Sequence, residues 1–134
     1  MGKIYLEKNV YTAAIERLEK IFSEDFAVYF SFSGGKDSSV MLQLANMVAK
    51  KKNKKFDVLF IDLEGNYQYT VDHVKELKTL SQINEFYWVC LPLVLRNSVS
   101  QLSTHWICWD KRQKEFWIRD MPDVCINEEN YLLK

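Results

Sequence analysis

Ser33-Gly34-Gly35-Lys36-Asp37-Ser38-Ser39 packs two glycines, a lysine, an acid and three serines into one short run. Before it stands Phe26–Phe32, made of strand formers. After it Val40, Met41, Leu44, Ala45 and Val48 repeat at helical spacing. A strand that turns through paired glycines into a helix N-terminus is a socket for phosphate. The first helical amides lack intrahelical partners, the helix dipole adds positive potential, and glycine lets the backbone approach the anion. Lys36 adds a full charge, and Ser33, Ser38 and Ser39 add hydroxyls. The spacing differs from the G-x-x-x-x-G-K-[ST] loop, whose glycines stand four residues further apart. Asp37 and Ser38 are also ordinary helix starters, so capping alone accounts for their type.

The elements that must position this loop follow from periodicity. Asn9–Phe22 reads as a helix through Val10, Ala14, Leu18, Ile21 and Phe22, with Asn9 as its cap. Phe26–Phe32 is the first strand, and a helix begins near Ser39. Phe56–Ile61 is a second strand, apolar almost throughout, as suits one covered on both faces. Thr70–Leu80 is a third helix through Val71, Val74, Leu77 and Leu80, and Phe86–Leu91 a third strand ending at Pro92. Alternating strands and helices predict an α/β fold with a parallel sheet and right-handed crossovers. In such sheets ligands bind beyond the carboxyl ends of the strands. That places Ser33–Ser39, Asp62–Asn66 and the segment after Leu91 on one edge.

The chain of 134 residues predicts one domain, 1–134, with 93–134 as its less regular extension. Eighteen basic and 18 acidic side chains leave a formal net charge of zero, which gives no general attraction to nucleic acid or membrane. The lysines from Lys50 to Lys55 fall where a helix should end and suit its dipole there. Met1–Leu6 lacks the apolar core of a signal peptide, and no stretch approaches a membrane span. Cys90, Cys108 and Cys125 form no Cys-x-x-Cys pair, a pattern that suits reduced thiols and a cytoplasmic location.

In the last third, Leu93–Leu102 reads as a short helix. Thr104–Trp109 and Phe116–Arg119 read as a hairpin around the polar tip Asp110–Lys114. Aromatics crowded between Trp106 and Trp117 form either a satellite core or a surface for a base, a protein partner or a second copy of the chain. Arg96 and Arg119 are candidate contacts to a phosphate or sulfate, because the guanidinium fork suits such anions. Cys108 is a weak candidate nucleophile with only His105 near it in sequence. His105, Cys108 and Cys125 have no familiar zinc spacing. His73 is expected on the solvent side of its helix, and the Glu128–Glu129 pair reads as surface charge.

Phe32–Ser39 resembles the PP-loop of the adenine nucleotide α-hydrolase superfamily. Phe60–Glu64, Tyr87–Leu93, Leu95–Ser100, Trp106–Asp110 and Ile126–Asn130 resemble its phosphoadenosine phosphosulfate (PAPS) reductase-like branch. That branch is often found in phages and prophages, and some of its members are described as transcriptional co-activators. The resemblance covers roughly residues 8 to 130. It implies a Rossmann-like, HUP-type fold that binds ATP or a PAPS-type nucleotide with Mg²⁺. The phosphates would lie on Ser33, Gly34, Gly35, Lys36, Asp37, Ser38 and Ser39. Phe32, Ile61 and Leu63 would hold the base edge through their backbones, with Asp62 as a further polar contact. Lys36 and Asp37 are the implied catalytic pair, and Asp37 the implied Mg²⁺ ligand. The implied reaction is attack at the α-phosphorus with release of pyrophosphate. Reductases of the group carry a nucleophilic cysteine in a Glu-Cys-Gly-type tail, whereas this sequence closes on Asn130-Tyr131-Leu132-Leu133-Lys134. A regulatory module that keeps the fold without the chemistry is the rival reading.

Overall fold

A computed structural model describes residues 7–131. Helix α1, Val10–Ile21, is capped by Asn9, whose Oδ1 accepts the Thr12 amide at 2.8 Å. Strand β1 is Tyr29–Phe32, helix α2 is Lys36–Lys52, and strand β2 is Phe56–Ile61. Helix α3 is Gln68–Leu77 and strand β3 is Ile83–Val89. The three strands form a parallel sheet in the order β1-β2-β3. The α/β parallel architecture expected from the alternating pattern is therefore present, with a Rossmann-like succession of units.

Period-2 alternation sends Phe30 and Phe32, Phe56, Val58 and Phe60, and Trp88 to one face of the sheet. There they join Leu42, Ala45, Val48 and Ala49 of α2 and Val71, Val74 and Leu77 of α3 in one core. Phe22, just after α1, lies 6.0 Å from Phe56 and 6.3 Å from Phe30 between ring centres. The opposite face carries Tyr29, Ser31, Asp57, Leu59, Ile61, Tyr87 and Val89, and Tyr29 and Ile61 are exposed. This corrects the expectation for β2. Its apolar run is buried on one face, while Asp57 and Leu59 are half-buried and Ile61 open on the other.

Boundaries shift for identifiable reasons. β1 starts at Tyr29 because pairing with β2 begins at Tyr29↔Asp57, and Phe26 is exposed. α2 starts three residues before Ser39, because Gly35 takes the extended cap conformation. It ends as expected at its lysines, with Asn53 in the left-handed conformation (φ 51°) and the Lys54 amide donating to Ala49 at 2.9 Å.

The last third departs further. Leu93–Leu102 is not a helix. Val94–Arg96 forms strand β4, antiparallel to strand β5, His105–Ile107. The expected hairpin partner, Phe116–Arg119, is not a strand, because Lys111–Phe116 is a 3-10 helix started by Asp110, whose carboxylate accepts the Arg112 amide at 3.0 Å. Ile126 then extends the main sheet beside Val89. Its amide donates to Trp88 at 2.7 Å, and its carbonyl accepts from Cys90 at 2.8 Å. No helix among the described residues is long and apolar enough to cross a membrane.

Candidate functional site

The loop between β1 and α2 is held by α3. Gly34 has φ 75°, and a Cβ built there would meet Thr70 Cγ2 at 2.8 Å and Val74 Cγ2 at 3.2 Å. Glycine is needed twice, for the left-handed backbone and for the close approach. Gly35 caps α2 without a side-chain acceptor, so the first-turn amides of Lys36, Asp37 and Ser38 have no cap from that residue. The Gly35 carbonyl, in contrast, is heavily bonded. It accepts from Ser38 Oγ at 3.0 Å, Ser39 Oγ at 2.8 Å and the Ser39 amide at 3.0 Å. Ser33 Oγ lies 2.9 Å from Ser38 Oγ and accepts the Gly35 amide at 3.3 Å.

Lys36 and Asp37 pair with each other at 2.7 Å, and both side chains are almost fully solvated. Exposed pairs of this kind contribute little to stability, so they can be redirected to a ligand at small cost. Among the described residues no group of three or more His, Cys, Asp or Glu is placed to hold a metal. The loop offers Mg²⁺ one carboxylate, Asp37. That fits an ion carried chiefly by phosphate oxygens and water, the usual arrangement for Mg²⁺ with nucleotides.

The other sequence-derived residues divide into two groups. Phe32 and Ile61 end the two strands that face the loop. Phe32 is buried against Phe60, so only its backbone is available, whereas Ile61 is open. Leu63 is half-buried. Asp62 is fully buried, its amide donating to Val89 at 2.8 Å. Its carboxylate accepts from Trp88 Nε1 at 2.7 Å, the Glu64 amide at 2.9 Å, Asn66 Nδ2 at 3.4 Å and the Arg119 guanidinium. Arg119 is thus committed to Asp62 and lies over the Trp109 ring at 5.0 Å. Arg96 lines a separate depression with Asn97, Ser98, Ser100, Thr104 and His105, to which no residue of Ser33–Ser39 contributes.

Around Asp62 the aromatic segment builds an internal brace. Glu64, buried with φ 65°, accepts the Trp109 amide at 2.7 Å and the Ile118 amide at 3.1 Å. Trp109 Nε1 donates to the Asp62 carbonyl at 2.7 Å, and the Trp109 and Trp117 rings meet edge to face at 5.2 Å. Trp109 is completely buried, so the crowded tryptophans here serve as a satellite core. Phe116 and Ile118 remain exposed on its surface. The sequence reading missed Glu64, although its spacing of two from Asp62 in a post-strand loop was the available signal.

His73 is the other miss, and a correction. It does not simply face solvent: its Nε2 lies 2.8 Å from Ser39 Oγ. Thr70, His73 and Val74 share one face of α3, the face that meets the loop. The three thiols are buried and unpaired. Burial, with the negative charge of Asp62 and the neighbouring Cys125 thiol, pushes Cys90 far above the ordinary thiol value. Burial also raises Cys108, whose Sγ points at the carbonyls of Leu91 and Leu93 at 3.5 and 3.7 Å. Both are thereby poor thiolates.

Residues 27–102 match the family model of the phosphoadenosine phosphosulfate reductase domain. The uncharacterized protein YbdN of Escherichia coli is 40% identical over 131 residues, covering 96% of this chain and 32% of YbdN. The uncharacterized protein MJ0973 of Methanocaldococcus jannaschii is 35% identical over 79 residues, covering 59% of this chain and 18% of that protein. The chain thus spans about a third or less of the curated relatives it matches. No solved structure matches it. With more than half of its residues under that model and a glycine-turned loop between β1 and α2, the chain belongs to the phosphoadenosine phosphosulfate reductase domain family.

Proposed function

We propose that this chain binds ATP or a 3′-phosphoadenylyl nucleotide through Ser33–Ser39 and supports attack at the α-phosphorus, the leaving group being pyrophosphate from ATP and sulfate from PAPS. One observation carries the reading: a helix start without a side-chain cap, its loop held against α3 by a glycine that tolerates no Cβ. Preorganised amides stabilise charge without reorganising when it develops. Lys36, freed from Asp37, would lie against the departing phosphates, and Asp37 would turn to the cation they carry. Bound Mg²⁺ would neutralise charge on the leaving pyrophosphate. The base edge would be met by backbone groups at Phe32 and Ile61–Leu63, with Asp62 acting through the shape of that loop. The unpaired thiols support a cytoplasmic location.

The decisive experiment measures pyrophosphate and AMP released from ATP, and sulfate and adenosine 3′,5′-bisphosphate released from PAPS, each with and without Mg²⁺. Release that disappears in Lys36→Ala is the expected result. Binding without release in any condition would favour the second reading, a regulatory module of the same fold. The exposed Phe116 and Ile118 give that reading its support, since they offer apolar surface to a partner beside the buried tryptophans. Sulfonucleotide reduction through Cys108 ranks last, because that thiol is buried and its ionisation suppressed.

A further inference from the structure

Ser39 Oγ sits 2.8 Å from the Gly35 carbonyl and 2.8 Å from His73 Nε2. A serine hydroxyl has one proton, so it donates to one of these neighbours. If the proton goes to Gly35, the imidazole must supply its own Nε2–H to Ser39. If it goes to His73, Gly35 loses one of its three donors. The state of the imidazole therefore decides how firmly the Gly35 carbonyl is drawn into α2, and with it how the amides on the other side of that peptide unit are aimed. An imidazolium has both nitrogens protonated and admits only the first arrangement.

We propose that His73 is a positioning residue of the phosphate loop, acting through Ser39, and that its protonation tightens oligophosphate binding. The inference rests on the reading that phosphates occupy Ser33–Ser39. It deepens that reading by adding a proton-dependent control. Two effects run in the same direction. The imidazolium locks the Ser39 proton onto Gly35, and it adds a cation behind the helix start. On its own helix His73 faces Glu76, whose carboxylate lies 3.9 Å from Nδ1. On the loop side the charged groups are Lys36 and Asp37, which pair with each other in the first turn of α2. Asp72, next in sequence, is bonded to Gln68 at 2.8 Å. The ring is only partly buried, so it can exchange protons with water.

The test uses inorganic pyrophosphate as the probe, titrated by calorimetry between pH 5.5 and 8.5. The proteins compared are the wild type, His73→Gln, His73→Ala and Lys36→Ala. Glutamine can donate an amide N–H to Ser39 but carries no charge. The probe's own protonation is common to all proteins and cancels in ratios of their dissociation constants. His73→Ala should bind about three- to tenfold more weakly than wild type at neutral pH, the loss expected for one hydrogen bond. His73→Gln should recover most of that at pH 8.5. At pH 5.5 it should fall about three- to tenfold behind, because glutamine cannot take up a proton. In the wild type, pyrophosphate should raise the NMR titration midpoint of the His73 ring and leave His105 unmoved, as linkage requires.

The inference is overturned if His73→Ala binds like wild type at every pH and the ring's midpoint ignores pyrophosphate while Lys36→Ala loses binding. In that outcome the loop assignment stands and His73 is only packing. If the wild type binds no pyrophosphate at any pH, the loop assignment itself falls and takes this inference with it.

Discussion

Gly34→Ala puts a methyl group where the loop and α3 leave no space for one. Two costs add. A non-glycine residue at φ 75° loses about 1–2 kcal/mol to its own backbone. A Cβ at 2.8 Å from Thr70 Cγ2 and 3.2 Å from Val74 Cγ2 overpacks the contact, at about 1–3 kcal/mol. For a chain of 134 residues each kcal/mol moves Tm by about 4 °C, so melting should fall by roughly 8–20 °C. Circular dichroism melts of Gly34→Ala and Gly35→Ala make the comparison internal. Gly35 has φ −83°, and its added Cβ meets only Ser33 Oγ at 3.4 Å. Its substitution should cost about 1 kcal/mol, the ordinary penalty for alanine at a helix N-cap. Thr70→Ser deletes the obstructing methyl and should recover at least about 0.5 kcal/mol in the Gly34→Ala background, a coupling read from the double-mutant cycle. A Gly34→Ala melt within about 3 °C of wild type, or no coupling to Thr70, would refute the docking of the loop on α3.

Asp62→Leu should destabilise the fold by about 3–5 kcal/mol, because it strands the Arg119 guanidinium against Trp109; Asp62→Leu with Arg119→Met should restore part of this in urea titrations. Stability should decline above about pH 8.5, where unfolded thiols ionise while buried Cys90 and Cys108 stay neutral. Their raised folded values leave the stability fully present below that pH, and Cys90→Ala should flatten the alkaline limb. On the acid side, hydrogen bonds from Arg112 and Lys111 hold Asp110 and Glu129 below the ordinary carboxylate range. Their contribution is present above about pH 4 and lost as pH falls through the lowered values, so Arg112→Ala should shift acid unfolding upward in pH. Nucleotide at about 100 times its dissociation constant should add about 2.7 kcal/mol to the wild type, visible as a higher Tm that is absent in Lys36→Ala.

Local pattern was enough for the elements around the loop. Paired glycines between a β-run and a 3.6-period stripe, Asn9 before α1 and the lysines ending α2 each act within a few residues, so their signals are readable in order. What escaped depends on contacts across the chain. His73 meets Ser39 only because α3 packs beside the first loop, and a lone histidine on a mostly polar helix gives no local sign of that. Val94–Arg96 becomes a strand because His105–Ile107 lies opposite, although its own pattern is equally helical. Glu64 and Trp109 find each other 45 residues apart, and nothing local to Arg119 marks Asp62, 57 residues away, as its partner. The apolar run of β2 suggested two covered faces, since hydrophobicity along a strand does not say which side is packed.

The match to the family model stops at Leu102, yet both amide donors to Glu64 and the cation that pairs with Asp62 come from later in the chain. A fragment cut there would lose the Trp109 and Ile118 amides from Glu64, Arg119 from Asp62, and the Ile126 rung from the border of β3. Glu64 would then lose both of those amides, and Asp62 would keep Trp88, Asn66 and the Glu64 amide but no cation. Boundaries drawn from the family model alone would remove these donors, whereas those extended through Asn130 keep every one of them.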